Sequence, residues 1–352
     1  MTTDRSAAGR PTLEAVARRA GVSRSTVSRV INGQPAVSPD AVRRVREVVS
    51  ELGYVPNQNA RSLVTRRSDT VAVVITEPQH RLFVDPYFSL QQHGIRRELV
   101  ERGSYPVLLF IEEPEDYARV EDFLSRGSVD GALLLSLRAD DPLPDMTDRL
   151  ALPAVCVGRR PLSGQAERPD RYLYVNSDNR GGAREAVRHL VGLGRRAVAT
   201  ITGAMEQTAA VDRLRGYRDV LPDAAPEMVV EGDFTEAGGA AAMRRLLERN
   251  PEVDAVFVAS DLMAAGALRV LRERGRRVPE DVAVVGFDDI PAIAEATDPP
   301  LSTVNQDAEE LGRLMARTLL DHIADCAAGE AVDPAPLAPV IMPTRLVLRA
   351  SA

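Results

Sequence analysis

Between Thr12 and Leu52 the apolar positions fall into three short runs of helical period. Leu13, Val16, Ala17 and Ala20 repeat at intervals of three and four behind Thr12, a side chain able to cap a helix, and Gly21-Val22 supplies a turn. Ser23 can cap a second helix reaching Asn32. On it Val27, Val30 and Ile31 take core spacing, while Arg24, Ser25, Ser28, Arg29 and Asn32 form one continuous polar stripe. A third helix opens with Ser38 as cap, then Pro39 and Asp40, and carries Val42, Val45, Val49 and Leu52 to a stop at Gly53. Three helices of this size can close a core and leave the polar stripe outward. That is a helix-turn-helix layout, and its stripe can enter a major groove, although plain packing competes with this reading on pattern alone.

Beyond residue 70 the period changes. Short apolar runs at Val71–Thr76, Pro106–Ile111, Val129–Leu135, Pro153–Val157, Ala197–Thr202, Asp254–Val258 and Val282–Gly286 predict strands. Amphipathic segments near Leu90–Arg102, Asp116–Ser125, Gly182–Leu193, Ala237–Arg249 and Leu262–Arg274 predict helices between them. Such alternation requires parallel sheets covered on both faces, and a break near Tyr174 divides them into two similar α/β lobes. The Pro/Ala-rich stretch from Ala327 to Pro339 reads as a loop or crossover.

Charge sharpens the contrast. Residues 1–68 carry twelve Arg against five acidic residues, a net +7, within a chain of net −7, so the remainder carries −14. A basic head on an acidic body suits polyphosphate binding by the head alone, because Arg neutralises phosphates and releases counterions.

The runs Thr12-Leu13-Glu14-Ala15-Val16-Ala17, Ala20-Gly21-Val22-Ser23, Thr26-Val27-Ser28-Arg29-Val30-Ile31-Asn32 and Leu52-Gly53-Tyr54-Val55-Pro56-Asn57 resemble the signature of the lactose/galactose repressor (LacI/GalR) family. The resemblance implies that Arg24 and Ser25 read base edges, with Arg29 as a third reader. Arg pairs bidentately with guanine O6 and N7, so a strongly specified G is expected in each half-site. Thr12, Ser23, Thr26, Ser28 and Asn32 would touch phosphates and set register. The segment Asn57-Gln58-Asn59-Ala60-Arg61-Ser62-Leu63-Val64 resembles the family's hinge helix. There Asn57, Ala60 and Arg61 would lie at the minor groove and Leu63 would be its apolar wedge; packing on the protein is the competing role for Leu63, and solvation for Arg61. Eight residues cannot hold an isolated helix in water, so the hinge should order only with a partner.

The resemblance continues through Asp85-Pro86-Tyr87-Phe88, Val157-Gly158-Arg159, Arg213 to Tyr217, Ser260-Asp261, Val285-Gly286-Phe287-Asp288-Asp289 and Pro343-Thr344-Arg345-Leu346-Val347. It implies a body like a type I periplasmic sugar-binding protein, two lobes clamping a small molecule beyond the carboxyl ends of the strands. Arg213, Asp288 and Ser260 would then bond ligand hydroxyls, with Tyr87, Phe88, Tyr174 and Phe234 lining the cleft. Arg and carboxylate groups on opposing walls can hold a polyol, and aromatic faces pack on the apolar side of a sugar ring. Competing roles are a helix cap for Asp288, a salt bridge for Arg213 and ordinary packing for Tyr174 and Phe234. Arg159 either meets a ligand or pairs with Asp178 or another acid. Two departures stand out: Ser260-Asp261 where many members have Asn-Asp, and Phe234 where some sugar-responsive members have Trp. Ligand identity therefore does not carry over.

These readings place the chain in the α/β class, a three-helix head and hinge helix ahead of a two-lobed body with parallel sheets. The expected boundaries are 1–56 for the head, with 1–10 a disordered tail, 57–70 for hinge and linker, and 71–352 for the body. One lobe takes about 71–174 and 306–335, the other about 175–305 and 336–349. No apolar run approaches the ~18 residues of a membrane span, and the N-terminus has no apolar signal core, so a cytoplasmic, nucleoid-associated protein without a membrane partner is expected. Cys156 and Cys326 lack metal or CxxC spacing and read as buried free thiols. No HExxH, GxSxG, Walker loop or dinucleotide fingerprint is present, so neither catalysis nor a cofactor is expected. The function expected is a ligand-responsive repressor of carbohydrate-metabolism genes, binding a pseudo-palindromic operator as a homodimer under control of a sugar. With no leucine heptad after the last strand, a tetramer is disfavoured. The alternative is a solute-binding protein or sensor for a nucleobase-like ligand.

Overall fold

Thr12 accepts a hydrogen bond from the Ala15 backbone N–H at 3.3 Å and opens α1, Leu13–Ala20, which Gly21 ends in the left-handed region at φ 64°. Helix α2, Arg24–Ile31, follows directly, and Ser38 caps α3, Pro39–Leu52. Val16, Val27 and Val45 are fully buried, and Ala20, Val48 and Tyr54 complete this core. The buried face of α3 runs through Ala41, Val45 and Val48, so Val42 and Val49 sit at its margin. The computed structural model describes residues 11–31, 37–54, 67–138, 141–159, 173–328 and 339–352. Asn32, the hinge residues Asn57, Ala60, Arg61 and Leu63, the tail 1–10 and most of the Pro/Ala-rich stretch lie outside them.

Residues 69–352 form a second unit built on two six-stranded sheets. The first contains β1 (Thr70–Ile75), β2 (Tyr105–Phe110), β3 (Gly131–Leu135), β4 (Ala154–Val157), β5 (Leu173–Ser177) and β11 (Val340–Met342), in the order β11-β5-β4-β3-β1-β2 and parallel throughout. The second contains β6 (Val198–Thr202), β7 (Val229–Glu231), β8 (Ala255–Val258), β9 (Ala283–Asp288), β10 (Ser302–Asn305) and β12 (Arg345–Val347), in the order β12-β10-β9-β8-β6-β7. Among these strands only β12 runs antiparallel to its neighbour. Val71 to Ile75 are buried without alternation because apolar clusters pack on both faces of the sheet, the condition that continuous Val/Ile/Leu runs meet. The helices between are α4 (Gln79–Val84), α5 (Pro86–Glu101), α6 (Pro114–Ser125), α7 (Leu143–Arg149), α8 (Asn179–Gly192), α9 (Thr208–Val220), α10 (Glu236–Arg249), α11 (Asp261–Glu273), α12 (Pro291–Ala294) and α13 (Ala308–Ala328).

The division between lobes differs from the expected one. Leu173–Ser177 belongs to the first sheet, so the chain crosses after Ser177 and not at Tyr174. It returns after Asn305 to give α13 to the first lobe, and residues 340–342 also join that lobe before 345–347 pair with the second. Three crossings thus connect two lobes that each contain distant pieces of sequence. Within the first lobe α5 and α13 touch at backbone distance: a Cβ on Gly94 would lie 1.9 Å from the Glu309 carbonyl oxygen, and one on Gly312 would lie 2.1 Å from that of Gln91. Beside this contact the buried Glu98 accepts from Arg313 and Arg317, and Arg102 lies 3.2 Å away. Cys156 is buried as expected, whereas Cys326 is exposed because it lies on the outer face of α13 near its end.

Candidate functional site

On the head, Arg24, Ser25 and Arg29 all face solvent from α2, opposite the buried Val27. The three proposed base readers are therefore brought onto one open surface. Ser23 Oγ accepts from the Thr26 backbone N–H at 3.1 Å and lies 2.7 Å from Ser25 Oγ and 2.8 Å from Thr26 Oγ1. The start of the helix thus presents a linked set of hydroxyls suited to a phosphate. Arg24 pairs with Glu14 at 3.1 Å, both side chains more than half exposed, an ion pair weak enough to be exchanged for another partner.

In the body the strand order fixes where a ligand can lie. In each sheet the chain winds outward in both directions from one strand, β1 in the first and β6 in the second, so crevices open at the carboxyl ends of β1/β3 and β6/β8. These two crevices face one cleft whose empty space, counting its open mouth, is about 750 Å³. Its walls come from loops that follow strands: Ser136 and Leu137 after β3, Gly158 after β4, Gln207 after β6, Phe234 after β7 and Ser260 after β8.

Arg213, on α9, is buried and held in one orientation. Its Nε donates to Asn179 Oδ1 at 2.8 Å and its Nη1 to the Ala259 carbonyl at 2.5 Å and Asp288 Oδ1 at 3.4 Å. The guanidinium carbon stands 3.7 Å from the centroid of Phe287. This leaves Nη2 without a protein partner among the described residues, on a side chain that lines the cleft. Burial lowers the Arg213 pKa, and the Asp288 carboxylate opposes the shift. The salt-bridge reading and the ligand reading of Arg213 are thus compatible.

Asp288 ends β9 at φ 121°, a region unfavourable to a residue with a Cβ and characteristic of positions where the surroundings impose the conformation. Its Oδ1 accepts from Gln306 Nε2 at 2.5 Å, and the Asp261 backbone N–H also stabilises the carboxylate. Asp288 does not cap the next helix; Asp261 Oδ2 instead accepts from the Ile290 N–H. Desolvation pushes the Asp288 carboxyl up to about 7, Arg213 opposing the shift and Asp85 adding to it. The adjacent Asp289 faces away, accepting from Arg349 at 2.7 Å and Asn305 at 2.9 Å. Ser260 caps α11 by accepting from the Met263 N–H at 3.2 Å, and its hydroxyl hydrogen can still be offered to the cleft.

Phe234, at φ 62°, lays its ring where a side chain on Gly203 would stand, and so faces the cleft. Opposite it, Asp85 caps α5 through the Tyr87 N–H, which brings Tyr87 and Phe88 to the helix start with ring centroids 5.5 Å apart. Desolvation and the Asp288 carboxylate raise the Tyr87 phenol above its ordinary pKa, so it remains a neutral donor.

Two expected lining residues lie elsewhere. Tyr174 packs in the core of the first lobe with Cys156 and Leu134. It shares a strand face with Asn176, which does line the cleft, but stands two residues, about 6.6 Å, back from it along the strand. Arg159 follows Gly158, whose φ of 74° turns the chain away, and donates to Asp212 Oδ1 of the second lobe at 2.5 Å. Its acid is Asp212, not Asp178. Conversely, Arg81, Asp85, Gln91, Asn176, Asn179, Gln207 and Gln306 line the cleft although sequence reasoning did not mark them as site residues. Several are polar residues at or just past a strand end, the signal that would have found them.

Comparison with known proteins places these sites in context. Residues 12–57 match the model for bacterial regulatory proteins of the lacI family, and residues 187–352 match a periplasmic binding protein-like domain. The chain is 49% identical to the HTH-type transcriptional regulator CelR of Thermobifida fusca, over 97% of this chain and 98% of that protein. It is 35% identical to the ribose operon repressor of Escherichia coli K12, over 89% and 93%. Among solved structures it resembles a transcriptional regulator CelR–cellobiose complex, with TM-score 0.74 and 47% identity over 97% of this chain and 100% of that one. It also resembles the Lac repressor dimer bound to operator and the anti-inducer ONPF, with TM-score 0.81 and 28% identity over 97% and 98%.

Proposed function

The chain belongs to the LacI family of bacterial regulatory proteins, and we propose that it is a sugar-responsive repressor that binds a pseudo-palindromic operator as a homodimer. The observation that carries this reading is the cleft: an oriented Arg213, with Nη2 left for a ligand, and the Asp288 carboxylate face Phe234 and Phe88 between two lobes. That combination of donors, acceptors and aromatic faces suits a polyhydroxylated ring. Cellobiose is the first candidate because the CelR structure at 47% identity holds it. A single head reads few base pairs, so two heads are needed for useful specificity. Arg24, Ser25 and Arg29 supply base contacts, the hydroxyls of α2 bind phosphates, and Leu63 wedges the minor groove in the hinge. Effector binding changes the balance between lobe arrangements, which changes the separation of the two hinges. Its chemistry is binding and not catalysis, and its place is the cytoplasm; no helix among the described residues is long and apolar enough to cross a membrane.

Fluorescence anisotropy on a labelled fragment from upstream of the coding region tests this directly, with cellobiose, ribose and a purine base added in turn. Salt-sensitive, sequence-selective binding that cellobiose weakens or strengthens supports the reading. A response to the purine base alone would favour the nucleobase alternative. Failure to prefer that fragment over generic duplex, at any ligand concentration, would remove operator recognition there.

A further inference from the structure

The cleft contains a second arginine, on the first lobe. Arg81 lies on α4, and its Nη1 donates to Glu77 Oε1 at 2.7 Å, with 12% of the Arg81 side chain and 2% of the Glu77 side chain exposed. Glu77 Oε1 also accepts from Gln207 Nε2 of the second lobe at 2.7 Å, so the carboxylate is fixed by both lobes and fixes the guanidinium in turn. The guanidinium carbon stands 5.5 Å from the Phe88 centroid and 5.3 Å from the Phe234 centroid, between an aromatic ring of each lobe. Its Nε is buried and has no hydrogen-bond partner among the described residues.

An unpaired buried donor on a charged group is costly, and the described residues around it supply no acceptor. A donor retained at a ligand-facing position instead fits an acceptor that arrives with the ligand. Arg81 also shares no hydrogen-bond partner with Arg213: one is set on Glu77, the other on Asn179, Ala259 and Asp288. The cleft therefore has two separate polar anchors, one on each lobe, each with an unused N–H, and aromatic surface beside them. A ligand that spans the cleft from one anchor to the other can engage both.

We propose that Arg81 is a specificity-determining residue that donates from Nε to the effector and selects a disaccharide over a monosaccharide by rewarding a ligand that engages both lobes. This rests on reading the cleft as a saccharide site. The planar guanidinium matters as much as its charge, since an ammonium at the same position cannot hold Glu77 through one nitrogen while donating from another along the same plane.

Isothermal titration of the full-length protein with cellobiose and with glucose tests this in the parent, Arg81→Ala and Arg81→Lys, thermal melting first showing that each variant folds. Cellobiose should bind about tenfold or more weakly to Arg81→Ala, the loss expected for one hydrogen bond from a charged donor. Glucose affinity should change by less than about twofold, and Arg81→Lys should fall between parent and Ala for cellobiose. Unchanged cellobiose affinity in Arg81→Ala would overturn the proposal, as would an equal proportional loss for both sugars, the mark of a general disturbance of the cleft. If the parent binds neither sugar, the disaccharide reading fails separately. The titration is then run with whichever of ribose or the purine base the parent binds, and undiminished affinity in Arg81→Ala overturns the donor role too.

Discussion

Arg159 of the first lobe donates to Asp212 of the second at 2.5 Å, and Thr208 of the second lobe donates to the Arg159 carbonyl at 2.5 Å. The Arg159–Asp212 pair bridges the lobes beside the cleft, and neither side chain lines it, although Thr208 does. Its effect on an effector is therefore indirect, through the fraction of molecules whose lobes are already arranged to bind. Arg159→Ala should weaken effector binding about three- to tenfold, the range set by ~1 kcal/mol for a partly buried pair. A double-mutant cycle with Asp212→Asn should recover most of that as coupling. Unchanged affinity in both single variants would mean that the bridge does not govern lobe arrangement.

Asp288 gives stability an inverse dependence on pH. Because its pKa in the folded protein, about 7, lies above the ordinary 3.8, the folded state binds the proton more tightly. Its contribution is complete below about pH 4 and is lost as pH rises through 7. Asp85 and Asp261, both raised mainly by burial, act in the same direction. Urea unfolding of the ligand-free protein between about pH 5 and 8 should show Asp288→Asn with a shallower fall in stability than the parent. Parallel curves would assign the proton elsewhere.

Arg24→Ala should cost about 1–3 kcal/mol of operator discrimination while leaving a salt-sensitive, non-specific component. The head should fold normally, since Arg24 and Glu14 are both exposed. Competition binding with operators altered one base pair at a time provides the check. A parental preference at every position would exclude Arg24 as a reader.

The contact between α5 and α13 leaves no room for a side chain. Gly94→Ala should destabilise the protein by about 1–3 kcal/mol or more through forced separation of the two helices. Gly192 provides the comparison: it lies at the end of α8, and a Cβ added there would meet nothing within 4 Å, so Gly192→Ala should be neutral or stabilising by up to about 1 kcal/mol. Equal melting temperatures for the two variants would show that the first lobe yields at this crossing.

Most of the architecture was legible because parallel strands covered on both faces leave long apolar runs. Val71–Ile75 and Gly131–Leu135 are examples, and the caps at Thr12 and Ser38 mark helix starts with equal clarity. Strands β7, β11 and β12 escaped because three residues carry no period, and β5 because Asn176 and Ser177 are polar where the strand meets the cleft. Helix α9 was hidden for a related reason: its buried face includes Asp212 and Arg213, so function breaks the apolar pattern. The same logic separates the site residues. Arg213, Asp288 and Phe234 could be placed from motif and strand end, whereas the destinations of Arg159 and Tyr174 depended on a left-handed Gly158 and on two residues of strand length.

The late completion of the first lobe has a consequence for synthesis. The described core residues of the head have been synthesised by residue 54, but the first sheet waits for β11, which ends at residue 342. From residue 54 to residue 342 takes roughly 15–60 s at the ~5–20 residues per second of translation. Throughout that interval a nascent chain can carry a folded basic reader while its receptor for the controlling signal is still unfinished.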